Sequence, residues 1–489
     1  MLADVAVIGG GPAGSAAARL LASWGHSVTA LARPARQAAL AESLPPSCTK
    51  LFDEIGVRAA IDRAGFIRAT GNTVQWADHE RRVEMFDVSS LGYQVGRDRF
   101  DELLLDGAQA AGAAIDREAS VRDAEREGDL WRVRFDRPAG HDTVRARWVL
   151  DCSGRAGVMA RRGWRHTESA ARTIAVVGVW NRADAWPLEE DTHTLVESYA
   201  NGWAWSVPVS AQRRYVTVML DPSVTEVPGR AELEAAYLTQ LARTSALRGL
   251  VEGAARVGPP WACDATPYSA TRVSDEGLLL VGDAASFVDP LSSFGVKKAL
   301  ASAWLAAIVV HTALTDAPVT GAAVELFTAR ERAMYDHLRR GSAALSREAA
   351  GAHETRFWSA RSEAEAVAPS DEWDVAALRA DVRVQSAFEE LKRRPAIRLR
   401  PGDSLEVVRR AIVRGHRVVL DEHLAAPAAP SSVRYCRNVD LVTLARLAPQ
   451  FDQVPDLYEA YNRAAPPAPL PDFLGALSAL IGFGMLTSV

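Results

Sequence analysis

ADVAVIGGGPAGSAAARLLASWGHSVTALARP, residues 3–34, decides the fold. Residues 3–8 are an apolar run of strand length, Gly14 to Ser23 is an alanine-rich helical stretch, and SVTALA at 27–32 is strand-like again. One βαβ unit therefore fits into about thirty residues. Gly9, Gly11 and Gly14 fall on the GxGxxG spacing. The first allows the tight turn, the second lets a pyrophosphate approach the backbone, and the third lets helix and strand pack closely. The free N–H groups at the helix start, around Ala13, then face the anion. The spacing predicts a dinucleotide site at the head of a Rossmann-like α/β domain. An acidic residue usually ends the second strand and holds the adenosine ribose. Here Ala32 stands in that place, followed by Arg33, which argues against a nicotinamide and leaves Arg33 to cover an adenine or a phosphate.

At 489 residues the chain is long enough for two or three packed units, and 48% hydrophobic with 24% charged residues is ordinary globular composition. A formal charge of -5, with no basic block, gives no reason to expect nucleic acid or an anionic membrane as partner. Cys48, Cys152, Cys263 and Cys436 form no CxxC pair, so neither a metal site nor a disulfide framework is expected, and a reducing, cytoplasmic location fits. The first strand starts next to Met1, leaving no room for a targeting peptide. The closing LPDFLGALSALIGFGMLTSV reads as a packed helix, without stable membrane association.

Further along, the chain alternates in character. Residues 99–112 carry apolar residues at helical spacing, and SVRDAE, WRVRF and TVRARWVLDCSG alternate as short strands. TIAVVGVW, THTLVESY, GWAWSVPV and RRYVTVML, within 173–220, predict an inserted antiparallel sheet. LLLVGDAA at 278–285 returns to the first domain, with a helix following from near Val296. Beyond about residue 310 the pattern turns helical. The expected division is 1–172 with 264–310 for the dinucleotide domain, 173–263 for the sheet, 311–423 for a helical extension, and 434–489 for a small module after the proline-rich linker 424–433.

Two segments resemble those of FAD-dependent aromatic hydroxylases. Val95-Gly96-Arg97-Asp98-Arg99-Phe100-Asp101 is similar to their V-x-R-x-x-F-D segment, which implies that Arg97 reaches the cofactor while Arg99 is a solvated helix residue. Gly282-Asp283-Ala284-Ala285 resembles their second FAD fingerprint, in which Asp283 would hold ribityl or ribose hydroxyls; a helix N-cap is the plainer role for that carboxylate.

Over roughly residues 1–310 the resemblance narrows to flavin-dependent halogenases and their hydroxylating relatives. Glu42-Ser43-Leu44-Pro45-Pro46-Ser47 is similar to the family's GES-x-x-PS loop beside the flavin, placing Ser43 at the cofactor. Asp151-Cys152-Ser153-Gly154-Arg155 is similar to D-x-SGR, and Gly202-Trp203-Ala204-Trp205-Ser206-Val207-Pro208 looks like W-x-W-x-I-P. Trp203 and Trp205, two apart on a strand, share a face and can wall an aromatic pocket, or simply pack a core. In the family this motif is thought to obstruct direct monooxygenation, which favours halogenation. Asp289-Pro290-Leu291-Ser292-Ser293-Phe294-Gly295-Val296 resembles the loop over the isoalloxazine. Backbone N–H groups of Gly295 and Val296 would there stabilise negative charge on the flavin. Ser293, Phe294 and Gly295 are the flavin-facing candidates for catalysis and Pro290 a pocket residue, with Phe294 filling the place where halogenases receive the halide.

The halogenase pattern is broken at its lysine. That residue stands about eight before a tryptophan, on a strand after the GES loop; counting back from Trp76 gives Arg68. A guanidinium stays protonated and cannot form the haloamine that a lysine amine forms. Lys50 lies on the preceding helix and reads as a surface residue. Arg68 is then a pocket residue, and the implied reaction is hydroxylation of an aromatic ring through a C4a-hydroperoxyflavin, with O2 as cosubstrate and reducing equivalents from NAD(P)H directly or through a flavin reductase. The catalytic base is unassigned; His79, His166 and His193 are candidates by type alone, and ordinary polar residues otherwise.

At 434–489 three helical stretches follow one another, similar to a winged helix or to peptide-presenting modules of tailoring pathways, and equally readable as a helical cap. With the lost lysine, this resembles the flavoprotein monooxygenases of tryptophylquinone biogenesis, which implies a tryptophan-containing polypeptide as partner. A halogenase, a hydroxylase of a small or carrier-bound aromatic, an isoprenoid-reductase-like dehydrogenase and a non-catalytic flavoprotein scaffold or sensor remain as alternatives.

Overall fold

Leu2–Ile8 lies at the centre of a parallel sheet because both of its faces are covered. Val5, Ala6 and Val7 are fully buried, and such strands read as unbroken apolar runs. The computed structural model describes all residues except 1, 35–39, 78–79, 169–170, 224–231, 363–372, 374, 395 and 489. The sheet runs in the order Ser274–Asp275, Leu278–Leu280, Gly140–Asp151, Leu2–Ile8, Val28–Leu31, Ala114–Asp116. Every neighbouring pair in it is parallel except the first. Leu130–Arg137 and Ser120–Glu127 extend it as antiparallel strands. The helices Pro12–Ser23 and Arg97–Ala110 pack on this layer, and Gly295–Thr315 packs against Pro12–Ser23. Gly295–Thr315 is long and apolar enough to cross a membrane, but 67% of its apolar window is buried inside the protein, as in a core helix.

The expected inserted sheet is present and larger than foreseen. It runs Ala255–Arg256, Ile174–Asn181, Arg213–Leu220, Gly202–Pro208, Thr194–Tyr199, Gly71–Gln75, Arg82–Met85, with Trp261–Asp264 also on Ile174–Asn181. All pairs are antiparallel except Gly71–Gln75 beside Thr194–Tyr199. The stretch from Arg68 to Trp76, expected on one strand, is divided between two. Ile67–Ala69 joins Gly92–Gly96 and Ala41–Leu44 in a separate small sheet, and only Gly71–Gln75 enters the large one. The break falls next to Gly71, where a Cβ would lie 2.1 Å from the Glu84 carbonyl oxygen and 2.7 Å from the His193 ring. Only bare backbone passes there.

Arg214 is fully buried in this sheet with neutral partners. It donates to Ser206 Oγ at 2.9 Å, to the Asp191 carbonyl at 2.8 Å and to the His193 carbonyl at 2.6 Å, tying the 191–193 turn to the sheet. Burial pulls its pKa down to about 10, so it stays charged at neutral pH. Arg214→Leu strands both carbonyls without donors. A loss on the order of 3 kcal/mol is expected, read as a lower denaturant midpoint with unchanged slope.

The chain divides into two compact units, Met1–Thr315 with Phe327–Glu365, and Asp316–Leu326 with Ala366–Val489. The second holds the three expected helices, Leu441–Leu447, Val454–Ala464 and Leu470–Gly482, around Leu441, Leu444, Leu457, Tyr461, Phe473 and Leu477. Asp440 caps the first by accepting from Val442 and Thr443 N–H. Helical structure in the 311–423 stretch, expected as a helical extension, ends at Arg393, and strands follow it. Glu406–Arg414 and Arg417–Ala425 form an antiparallel ribbon, closed by a two-residue turn with Gly415 at φ +59°. VVRRAIV and RVVL are rich in β-branched residues on either side of that glycine, and strand propensity and turn chemistry outweigh the helical spacing. The ribbon precedes the three helices, and Leu486–Ser488 closes the unit on Leu399–Pro401.

Candidate functional site

The glycine turn after Leu2–Ile8 is shaped by close backbone approach. Gly9 has φ +111°, and a Cβ on it would sit 2.4 Å from the Cys152 carbonyl oxygen; one on Gly14 would sit 1.9 Å from the Gly9 carbonyl oxygen. At Gly11 the Cβ direction is open, its nearest atoms being Arg97 Nη2 at 3.9 Å and Asp101 Oδ2 at 4.0 Å. Gly11 is also the N-cap of Pro12–Ser23 and brings no capping side chain, so N–H groups around Ala13 are left for an incoming anion. A cradle that a Cβ would fill, facing a guanidinium, fits a pyrophosphate.

Arg97 starts the helix Arg97–Ala110 directly after Gly92–Gly96, which puts it beside that cradle. It bonds both oxygens of Asp101 at 2.8 Å and Glu42 at 3.3 Å. Burial opposes its charge, but Asp101, Glu42 and Asp283 outweigh burial and push its pKa up. Burial likewise holds the Glu42 carboxyl above its ordinary value in spite of Arg97. Gly11, Ala13, Arg97 and Asp283 are thus gathered at one end of the parallel sheet. Ser43 is close by, opposite Gln94 in the small sheet.

Ala32 is buried, and a Cβ on Gly10 would meet its Cβ at 2.6 Å, so the glycine turn and a larger side chain at 32 would compete for one space. Arg33 follows it, exposed. Asp151 is fully buried and accepts from Ser153 N–H, Ser153 Oγ–H and Met159 N–H, fixing the turn that carries Arg155. Arg155 lies 3.9 Å over the Phe287 ring.

Trp203 and Trp205 stack with centroids 4.6 Å apart and planes at 25°. They pack with Trp76, Trp358, Phe357, Phe287 and Leu291 into one aromatic cluster. The Trp203 indole N–H donates to Asp289, whose carboxylate also accepts from Leu291 N–H at 3.0 Å and caps the turn Pro290–Ser292. The tryptophan strand is therefore bonded to the loop that contains Pro290, Ser293, Phe294 and Gly295. Burial raises the Asp289 carboxyl, against the pull of Arg361. Ser293 is exposed at φ +51°, Phe294 is half-buried with the Lys297 ammonium 4.6 Å over its ring, and Val296 is buried in the first turn of Gly295–Thr315. A cavity of about 360 Å³ opens beside Val288 and Asp289, lined also by His166, Glu168, Tyr335 and Arg361.

Arg68 is not among the tryptophans' partners. It lies in the small sheet, paired with Asp62 at 3.0 Å and stacked 4.2 Å over Tyr93. Lys50 is exposed on the helix Cys48–Ile55. His193 is buried against Thr73 at 3.1 Å, with burial lowering its pKa, and His166 is exposed at the cavity; His79 lies outside the described residues. Among the described residues no group of His, Cys, Asp and Glu is arranged to hold a metal ion. Two participants escaped the sequence reading. Lys298, in the first turn after the loop, bonds Asp283 and was signalled by FGVKKAL; Trp358 comes from the helix Arg356–Ser362, whose short sequence carries no signal.

Fold and site together define an FAD-dependent oxidoreductase. The chain belongs to the FAD binding domain family, whose model matches residues 2–318. Among curated proteins it is 30% identical over 374 residues to the tryptophan 2-halogenase of Chondromyces crocatus, covering 73% of this chain and 70% of that one. Among solved structures it is similar to CmlS, a flavin-dependent halogenase, with TM-score 0.79 at 22% identity over 100% of this chain and 96% of that one. It is also similar to the peptidyl tryptophan dihydroxylase QhpG, essential for tryptophylquinone cofactor biogenesis, with TM-score 0.68 at 23% identity over 94% and 95%.

Proposed function

We propose that the protein is an FAD-dependent monooxygenase that hydroxylates an aromatic ring, its substrate being a tryptophan within a peptide or protein during maturation of a tryptophylquinone cofactor. The observation that carries this reading is Arg68. Where the halogenase resemblance calls for an amine near the tryptophan strand, this chain has a guanidinium bound to Asp62 and Tyr93 in another sheet. The likeness to QhpG supports the choice of substrate.

When bound, FAD supplies the electrons that activate dioxygen. Arg97, the Gly9–Gly14 turn and Asp283 hold the cofactor. The Gly295 and Val296 N–H groups, at the start of the helix Gly295–Thr315, would stabilise negative charge on the bound ring system. The stacked Trp203 and Trp205, packed with Trp76, Trp358 and Leu291 and bonded to the loop through Asp289, form an apolar wall that would keep water from a substrate ring held against it. Electrons come from NAD(P)H directly or through a flavin reductase, and the protein works in the cytoplasm, without nucleic acid or stable membrane attachment.

A second reading, halogenation, is favoured by the intact tryptophan pair and by the tryptophan 2-halogenase relative. Mass spectrometry after aerobic turnover with reduced FAD and bromide decides between them, using tryptophan and a tryptophan-containing peptide. A gain of one or two oxygen atoms, greater on the peptide, is expected; a bromine isotope doublet overturns the proposal.

A further inference from the structure

Behind the Gly282-Asp283 fingerprint lies a charged cluster in the core of the first unit. Lys298 is 4% exposed; its ammonium bonds the Asp283 carboxylate at 3.3 Å, Ser286 Oγ at 3.3 Å and, closest of all, the Ser286 carbonyl oxygen. Ser302, one turn further along the same helix, accepts from Gly282 N–H at 2.9 Å and donates to Glu331. Glu331, 7% exposed, comes from the neighbouring helix Thr320–His353. The charged groups that act on it are Lys298 from Gly295–Thr315 and Asp283 from the turn Gly282–Ala284. The fingerprint is thus gripped at both residues, Gly282 through Ser302 and Asp283 through Lys298.

A buried lysine this close to Asp283 is more than filler. An ammonium is a strongly hydrated point charge, and taking it out of water is unfavourable unless fixed partners replace that hydration. Here they do, and they fix in turn the direction of the Asp283 carboxylate, which would hold hydroxyls of the bound cofactor. With Glu331 ionised, two carboxylates share one ammonium; with Glu331 protonated, Lys298 belongs to Asp283 alone.

We propose that Lys298 is a positioning residue for FAD, orienting Asp283 from behind, and that Glu331 is the counter-charge through which cofactor retention responds to pH. Burial pushes the Glu331 carboxyl up to about 7, against Lys298 and the Ser302 hydroxyl. FAD brings a dianionic pyrophosphate, so its binding favours the uncharged form of Glu331. The sign follows: affinity is full while Glu331 is protonated and falls as pH rises through about 7.

The test is the FAD dissociation constant of full-length apoprotein, read by quenching of flavin fluorescence at pH 6 and pH 8.5, with circular dichroism to check folding. The wild-type constant is expected to rise about tenfold between the two, the size of one pK unit of coupling. Glu331→Gln, nearly isosteric and neutral, keeps the pH 6 affinity at both. Lys298→Met weakens binding about a hundredfold at either pH, and Lys298→Arg recovers part of it. A wild-type constant that does not change with pH, or a Glu331→Gln variant that keeps the full change, overturns the role of Glu331. Wild-type affinity in a folded Lys298→Met variant overturns the role of Lys298. If Lys298→Met does not fold, wild-type affinity in a folded Lys298→Gln variant overturns it instead. Since the readout is binding, it stands apart from whether the product carries oxygen or bromine.

Discussion

Gly14→Ala emerges colourless. The added methyl would lie 1.9 Å from the Gly9 carbonyl oxygen and 3.3 Å from Cys152 Cβ, contacts with backbone and core that cannot swing aside. The helix Pro12–Ser23 must therefore shift outward, carrying its N-terminal N–H groups away from the pyrophosphate cradle. Overpacking of this kind costs about 1–3 kcal/mol of stability. The cofactor loss is larger in effect, since every backbone donor at that end moves together; affinity for FAD should fall by at least about a hundredfold, or ~2.7 kcal/mol. Absorbance near the flavin bands of the purified protein and a fluorescence titration of apoprotein measure both. Gly341→Ala, exposed on the helix Thr320–His353, is the contrast, because a Cβ there meets nothing within 4 Å; it should retain its flavin.

Trp203→Ala should separate oxygen consumption from product. It removes a side chain that is 2% exposed, stacked on Trp205 and packed in the aromatic cluster, at about 3–5 kcal/mol of stability. It also deprives Asp289 of the indole N–H, loosening the turn that precedes Ser293 and Phe294. Water then enters the space the indole filled beside Leu291, and hydrogen peroxide should become the main fate of consumed oxygen. Trp203→Phe keeps an aromatic ring and loses only the donor, so it should be milder in stability, by about 1–3 kcal/mol, yet still release extra peroxide. Oxygen-electrode traces compared with peroxide and product yields provide the check; full coupling in Trp203→Ala would mean the cluster is only a core.

The parts that local rules govern were legible. A buried strand, three glycines and an alanine-rich helix specify one another over a few residues, so the βαβ unit and its cradle could be written down in advance. The tryptophans two apart on Gly202–Pro208 had to share a face because strand periodicity is two, and they stack. The ribbon Glu406–Ala425 shows where the reading slipped: its charged, evenly spaced apolar residues suit helix and strand alike, and a glycine with positive φ settled the matter.

What the sequence determined alone is the βαβ unit with its glycine turn and the shared face of Trp203 and Trp205, since each is a property of residue type at short spacing. What only the tertiary structure decided is which distant side chains meet: Trp203 with Asp289, Trp76 with Trp358, Lys298 with Asp283 and Glu331, and Arg68 with Asp62 away from the tryptophans. Those pairings depend on where an interruption between strands such as the one before Gly71 sends the chain, and on how helices far apart in sequence stack. No local spacing encodes a contact whose two halves are brought together by the packing of everything between them.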